Sequence, residues 1–146
     1  MTVEHPGLDP DHTLAERYVD AVQANLVPGR KLIVVGISLG GRFAPEMAAM
    51  LGRLDAWAHT DMDVYMLDSP ASSSSPSSEY AVRHPRLAFS YVGAKRGGLG
   101  SEEGNVAQWK ATFAEGKMYE VDCSHADLWG EAASKETARI IAAGSF

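Results

Sequence analysis

The chain has 146 residues, of which 45% are apolar and 22% charged, and its net charge is −6 at neutral pH. These values are typical of a single globular domain with one core. The acidic balance and the scattered Lys and Arg residues argue against binding to a phosphate backbone, so we expect no nucleic-acid partner. No apolar run approaches the roughly 18 residues that cross a bilayer, and the first residues carry no apolar signal segment. We therefore expect no membrane partner and a cytoplasmic location.

Cysteine usage narrows the chemistry further. Cys123 is the single cysteine, so an internal disulfide is excluded, and no second cysteine stands at metal-ligand spacing. Near a predicted strand end, a lone cysteine is more often a small core residue than a nucleophile. We predict neither a metal nor a cofactor.

The amino-terminal part of the chain predicts an arm followed by a helix. Residues 1–12 contain two prolines and read as an irregular arm. Thr13 and Glu16 have the spacing of a capping box, which predicts that a helix starts there. Pro28 and Gly29 end it. Residues 13–146 are predicted to form one domain.

The remainder alternates strands and helices. The uninterrupted apolar run Leu32–Val35 is typical of a strand buried on both faces of a parallel sheet. Further strands are predicted over Val64–Leu67, Leu87–Val92 and Met118–Val121, and helices from about Leu39 to Leu54, from Val106 to Phe113 and from Leu128 to Ala143. This order predicts an α/β domain with a mainly parallel sheet flanked by helices.

Two segments are predicted to be loops. Ser69–Ser78 is low-complexity and too polar to pack, so residues 69–86 are expected to form a mobile, serine-rich surface loop. Gly97–Gly104 is glycine-rich but lacks the pattern of a phosphate-binding loop, which favours a flexible connector.

The segment Gly36-Ile37-Ser38-Leu39-Gly40 fits G-x-S-x-G, the nucleophile elbow. Glycines on either side of the serine permit a strained turn that lifts its hydroxyl out of the sheet. A buried strand precedes the segment and an amphipathic helix follows it, as the elbow requires. Ser38 is thus the candidate nucleophile, and the backbone N–H of Leu39 is a candidate oxyanion donor. The alternative is a glycine-rich turn in an ordinary strand-helix unit.

A serine nucleophile needs a base, and the base needs an acid to hold its tautomer. Asp68 follows the second predicted strand and His125 follows the fourth, so the chain order Ser, Asp, His is that of α/β hydrolases. Ligands bind at the carboxyl ends of strands in open α/β sheets, so the three are expected at one edge. The fallback acids are Asp61, Asp63, Asp122 and Asp127, and the histidines expected to be surface residues are His5, His12, His59 and His84.

Three stretches carry a family resemblance. Gly36–Ala48 resembles the G-x-S-x-G-G-x-x-A-x-E-M-A stretch of thioesterase domains that release chains from polyketide and nonribosomal-peptide synthases, which belong to the α/β-hydrolase superfamily. Val64–Ser69 is similar to their strand ending in the triad aspartate. Trp109 and Tyr119–His125 are similar to their late tryptophan helix and histidine element, with Cys123-Ser124 in place of Gly-Asp. The resemblance implies an acyl thioester substrate on a carrier protein, released or cyclised through an acyl-enzyme on Ser38.

The same residues would also serve a small-ester hydrolase. A different kind of function is a truncated hydrolase-like scaffold that acts as a non-hydrolytic cyclase or as a binding partner. Two roles are open for Trp57, Trp109 and Trp129: they line an acyl pocket, or they pack in the protein as buried or half-buried side chains.

The chain is shortened relative to those domains in two places. Only 37 residues precede Ser38, where they place several strands, including one whose following loop donates the second oxyanion N–H. That second donor is unassigned here. Residues 69–86 stand where those domains carry a helical lid, so the site is expected to be open. Lys31–Gly36 is then expected to be an exposed strand edge that a second copy of the chain or a companion segment covers.

Overall fold

The structure is a computed structural model that describes residues 10–71, 86–98, 103–113 and 115–145. Helix α1 spans Pro10–Asn25. It therefore begins before Thr13, and the predicted arm is shorter than residues 1–12, because a proline in the first helical turn needs no N–H partner and already has a helical φ. Residues 1–9 lie outside the described residues.

Four strands form one parallel sheet. They are β1, Leu32–Ile37, β2, Met62–Leu67, β3, Leu87–Ala94, and β4, Lys117–Val121. Their order in the sheet is the order in the chain, with Leu32 opposite Met62, Met62 opposite Leu87, and Ser90 opposite Lys117. The predicted α/β fold with a parallel sheet is confirmed, and each predicted strand lies within an observed one. β1 stands first in this order and pairs with β2 on one side, so it is an edge strand of the described sheet.

Three further helices complete the described layers: α2, Gly40–Gly52, α3, Glu103–Thr112, and α4, Glu131–Ser145. Two short 3-10 turns, Asp55–Trp57 and Ala126–Trp129, connect elements. The closing helix starts at Glu131 rather than Leu128, because Gly130 has an extended backbone and separates it from the preceding turn.

Alternation along the strands creates a core on each face of the sheet. In the first core, on one face, Val64, Met66 and Phe89 pack with Ala48 and Leu51 of α2 and with the aromatic side chains of α3 and its end. The rings of Phe89 and Phe113 stack there with their centroids 4.0 Å apart. The second core, on the other face, comprises Tyr65, Leu67, Val92, Val121 and Leu128, with Ile140 and Ile141 of α4 packed against it.

Two of the three tryptophans belong to the packing. Trp57 and Trp109 are buried in the first core, whereas Trp129 is 66% exposed. Of the predicted serine-rich loop, residues 72–85 lie outside the described part of the chain, as do residues 99–102 of the glycine-rich loop. None of the described helices is long and apolar enough to cross a membrane.

Candidate active site

Ser38 lies directly after β1 in a strained backbone conformation. Its φ is 54°, in the left-handed region that non-glycine residues seldom adopt. Its N–H donates to the carbonyl of Leu67 at 2.9 Å, and its carbonyl accepts from the N–H of Gly41 at 3.1 Å. The turn is thus tied to β2 on one side and to the start of α2 on the other. This is the strand, turn and helix order of the predicted elbow.

The glycines of this turn have different roles. A Cβ on Gly36 would lie 2.3 Å from the carbonyl oxygen of Gly40, and a Cβ on Gly41 would lie 1.8 Å from the Oγ of Ser69. A Cβ on Gly40 would meet nothing within 4 Å. The tight turn therefore requires Gly36 and Gly41 for close approach, while the strained φ is carried by Ser38 itself.

Asp68 follows β2 and is fully buried. It also has a left-handed backbone, with φ 42°. Its N–H donates to the carbonyl of Val92 at 2.6 Å, and its Oδ1 accepts from the N–H of Ala94 at 3.0 Å. Its Oδ2 lies 2.5 Å from Nδ1 of His125. Both carboxylate oxygens thus have partners, as a buried carboxylate requires.

His125 links the end of β4 to this carboxylate. Its side chain is 39% exposed, whereas that of Asp68 has no exposed surface, so the pair runs from the interior to the surface. When Nδ1–H donates to the carboxylate, Nε2 keeps the lone pair that a general base needs. The structure thus brings together two of the predicted site residues, whose positions differ by 57 in the chain.

The Ser38 hydroxyl makes no hydrogen bond with the described residues, and the N–H of Leu39 likewise donates to none of them. A nucleophile and its base are often loosely associated without substrate, and their hydrogen bond tightens in the complex. Leu39 stands at the start of α2, directly after Ser38. The Leu39 side chain is 61% exposed, so this part of the edge is open.

The fallback acids are occupied elsewhere. Asp122 pairs with Arg96 at 3.0 Å and Asp61 with Arg86 at 3.1 Å. The Oδ2 of Asp63 lies 2.8 Å from the Lys31 ammonium at the opposite end of β2. Asp127 accepts from the hydroxyl of Ser124 at 2.8 Å. Asp68 is therefore the acid that the fold places against His125.

Cys123 lies in an environment that disfavours its thiolate. It is buried, and this burial, followed by the negative charge of Asp68, raises the pKa of its thiol. A thiol with a raised pKa is a poor source of thiolate. Cys123 packs in the second core, as predicted for a lone cysteine near a strand end.

Sequence reasoning missed the residues that surround Asp68. A Cβ on Gly98 would lie 2.7 Å from the Oδ2 of Asp68, so this glycine admits the carboxylate. Asn105 and Trp109 of α3 hydrogen-bond to the carbonyl of Ser69, one residue after the acid. Gly98 and Asn105 offered no signal beyond a glycine-rich loop and a polar residue in a short helix.

A pocket of about 500 Å³ opens on the α4 face of the sheet, toward the amino ends of the strands. Asp63, Ser90 and Lys117 contribute to its lining, and Gly144 borders it. It therefore lies at the end of the sheet opposite Ser38, Asp68 and His125. No group of three or more His, Cys, Asp or Glu residues that could hold a metal ion occurs within the described ranges.

The chain matches no family model and no curated protein sequence. It is similar in structure to a thioesterase domain, NocB, solved in covalent complex with a fluorophosphonate nocardicin G analog, with TM-score 0.66 and 18% identity over 99% of this chain and 79% of that one. It is similar to MGS-MChE2, an α/β hydrolase from the metagenome of lagoon sediments at Mar Chica, Morocco, with TM-score 0.61 and 14% identity over 93% and 71%. A thermophilic esterase gives TM-score 0.62 and 9% identity over 99% and 76%.

These likenesses, together with the parallel sheet and its flanking helices, define the fold as that of the α/β hydrolases. At such low identity these likenesses establish the architecture alone, because one fold hosts many activities.

Proposed function

We propose that this chain is a serine hydrolase of the thioesterase kind, with Ser38 as nucleophile, His125 as base and Asp68 as the acid that orients the base. The observation that carries the proposal is the 2.5 Å contact between the buried Asp68 carboxylate and His125 Nδ1 at the edge where Ser38 is strained. A buried, doubly hydrogen-bonded carboxylate behind a half-exposed imidazole is the arrangement that makes imidazole a directed base.

The reaction would follow the acyl-enzyme route. His125 Nε2 takes the hydroxyl proton as Ser38 Oγ attacks the acyl carbon, and the resulting oxyanion accepts from the N–H of Leu39. The protonated imidazole, stabilised by Asp68, then donates to the leaving group. Water, or a hydroxyl or amine of the acyl chain, then attacks the ester on Ser38 with His125 again as base; the acyl–Oγ bond breaks, and the imidazolium returns the proton to Ser38 Oγ. This second attack yields hydrolysis or cyclisation.

The substrate class follows from the sequence resemblance and from the openness of the edge. An acyl thioester on a carrier protein is the substrate that the resemblance implies, and the structural likeness to a thioesterase domain supports it. Leu39, next to Ser38 in the chain, and Trp129, at the end of the 3-10 turn that follows His125, are both largely exposed. They offer apolar contact to an acyl chain without enclosing it, so small esters are expected to react as well.

Turnover of a small aryl ester and of an acyl thioester tests the proposal. Ser38→Ala, His125→Ala and Asp68→Asn should each abolish most turnover, and double variants should lose little more, because the three act as a unit. Ser90→Ala is the matched control, because Ser90 lies in β3 and lines the pocket described above. Equal turnover of Ser38→Ala and Ser90→Ala in folded protein would refute the assignment.

We also propose that a second copy of the chain covers β1. Leu32 and Ser38 donate their N–H groups to the β2 side, so alternation directs the backbone groups of Ile33, Val35 and Ile37 away from the described sheet. The strand is apolar, and Val35 is 43% exposed. Such an edge is a template for strand pairing. A companion segment is the alternative occupant, and it would leave the chain monomeric in solution.

A further inference from the structure

The segment that follows Asp68 is held from α3. Ser69 is fully buried, and its carbonyl oxygen accepts two hydrogen bonds. One comes from the indole Nε1–H of Trp109 at 2.8 Å and the other from the amide Nδ2–H of Asn105 at 3.1 Å. Both donors stand on α3, which is far from Asp68 in the sequence. The peptide next to the proposed acid is therefore fixed by side chains of another element.

Asn105 uses both ends of its amide in this contact. Its Oδ1 accepts from the N–H of Ala71 at 2.7 Å, and its Nδ2 also donates to the hydroxyl of Tyr91 at 3.2 Å. The side chain thus fastens residues on both sides of Pro70 and ties them to β3. A polar group with this many partners has one favoured orientation.

Trp109 is rigid for a different reason. It is 3% exposed, and its ring stacks on Phe113 at 5.7 Å and lies 5.9 Å from the ring of Tyr91. Aromatic packing of this kind fixes the direction of the indole N–H. Packing in the first core therefore holds the indole N–H in place for its hydrogen bond to the carbonyl of Ser69.

Ser69 is also confined from the side of the elbow. A Cβ on Gly41 would lie 1.8 Å from its Oγ, so its side chain fills the space that this glycine leaves open. Its hydroxyl donates to the carbonyl of Leu67 at 3.2 Å. Ser69 is thus wedged between α2, which begins just after Ser38, and α3.

Asp68 needs this support. Its φ of 42° is a strained conformation for a non-glycine residue and persists only where neighbouring contacts hold it in place. We propose that Asn105 and Trp109 are positioning residues that hold the Asp68–Ala71 turn in this conformation and thereby set the hydrogen bond between Asp68 and His125. Neither touches reacting atoms. The inference rests on the proposed function only in so far as that hydrogen bond serves catalysis.

The test uses two variants that keep the shape of the core. Trp109→Phe removes the indole N–H while retaining an aromatic ring, and Asn105→Leu removes the hydrogen bonds to Ser69, Ala71 and Tyr91 while keeping a side chain of similar size. Lys110→Ala is the control, because Lys110 is an exposed residue of the same helix. The first readout is the proton NMR resonance of His125 Nδ1–H, which a short hydrogen bond to a carboxylate moves far downfield. The second is turnover, split into kcat and KM.

Both variants should shift or broaden the downfield resonance and lower kcat by about tenfold to a hundredfold with little change in KM, since misplacement of a catalytic group by about 1 Å costs this much. Lys110→Ala should change neither. If the variants lower thermal stability but leave the resonance and kcat as in the parent, their role is purely structural and the proposal is wrong. If Asn105→Leu does not fold, Trp109→Phe decides.

The two proposals fail in different ways. A parent protein with no Ser38-dependent turnover, but with a His125 resonance that the variants shift, would refute the proposed function and leave the positioning role intact. If the parent shows Ser38-dependent turnover but neither variant changes the His125 resonance or kcat, the positioning role is refuted and the proposed function stands.

Discussion

Gly41→Ala is the change that most directly perturbs the junction between the elbow and the acid. The new Cβ would lie 1.8 Å from Ser69 Oγ and 2.4 Å from Ser69 Cβ, where non-bonded atoms prefer about 3.5–4.0 Å. Ser69 is fully buried and its carbonyl is held by α3, so it cannot simply rotate away. Either α2 or the Asp68 turn has to move by roughly 1.5–2 Å to restore ordinary contact.

Two opposing contributions set the size of the effect. Overpacking of a core costs about 1–3 kcal/mol, and this overlap is severe, so the upper part of that range applies. Replacing a helical glycine by alanine returns about 1 kcal/mol. The expected loss in the free energy of unfolding is thus about 1–2 kcal/mol, with a roughly hundredfold loss of turnover from the displaced Ser38 or Asp68.

Gly40→Ala is the matched control, because it adds the same methyl group one residue earlier, where nothing lies within 4 Å. It should gain stability from helix propensity and keep its turnover. Urea unfolding gives the free energies, and ester hydrolysis by the folded variants gives the rates. Equal stability and equal turnover of Gly41→Ala and Gly40→Ala would show that the contact with Ser69 imposes no steric constraint.

Three further predictions follow from the same contacts. Gly98→Ala places a Cβ 2.7 Å from the Oδ2 of Asp68 and should lower turnover by about a hundredfold. Gly104→Ala, whose Cβ would meet nothing within 4 Å, should keep the parent turnover, and equal rates for the two variants would contradict this prediction. Burial raises the pKa of the Cys123 thiol, so this thiol should react with a disulfide reagent in urea but scarcely in the native protein. Rapid labelling of the native protein would contradict the burial of Cys123. Light scattering at micromolar concentration should detect a dimer that Val35→Lys dissociates; a monomeric parent would overturn the self-pairing of β1.

The sheet could be predicted because each of its strands contains a run of mostly apolar residues. The boundaries were harder wherever a charge stands inside a strand. Asp63 delayed the predicted start of β2, yet in the fold it belongs to the strand and lies against Lys31. Among the described side chains of α1, Ala15 and Val19 are buried, whereas the larger Tyr18 is 44% exposed. A small residue such as Ala15 can face the core although the spacing of large apolar residues does not predict it.

The candidate site divides in the same way. Ser38, Asp68 and His125 could be chosen as candidates from the sequence because each follows a strand, and parallel strands end at one edge. The contacts of Asp68 with Gly98 and of Ser69 with Asn105 depend on how separate loops and a helix meet. No spacing in the sequence encodes them. The same holds for the roles of Gly40 and Gly41, which look alike in the motif and differ only in what surrounds them.

Intact-mass spectrometry after incubation with a fluorophosphonate tests whether Ser38 is a nucleophile activated by His125 and Asp68. We expect one covalent adduct, mapped to Ser38 by peptide sequencing, absent in Ser38→Ala and strongly slowed in His125→Ala. No adduct on the folded parent, or an adduct of equal yield on Ser38→Ala, would contradict it.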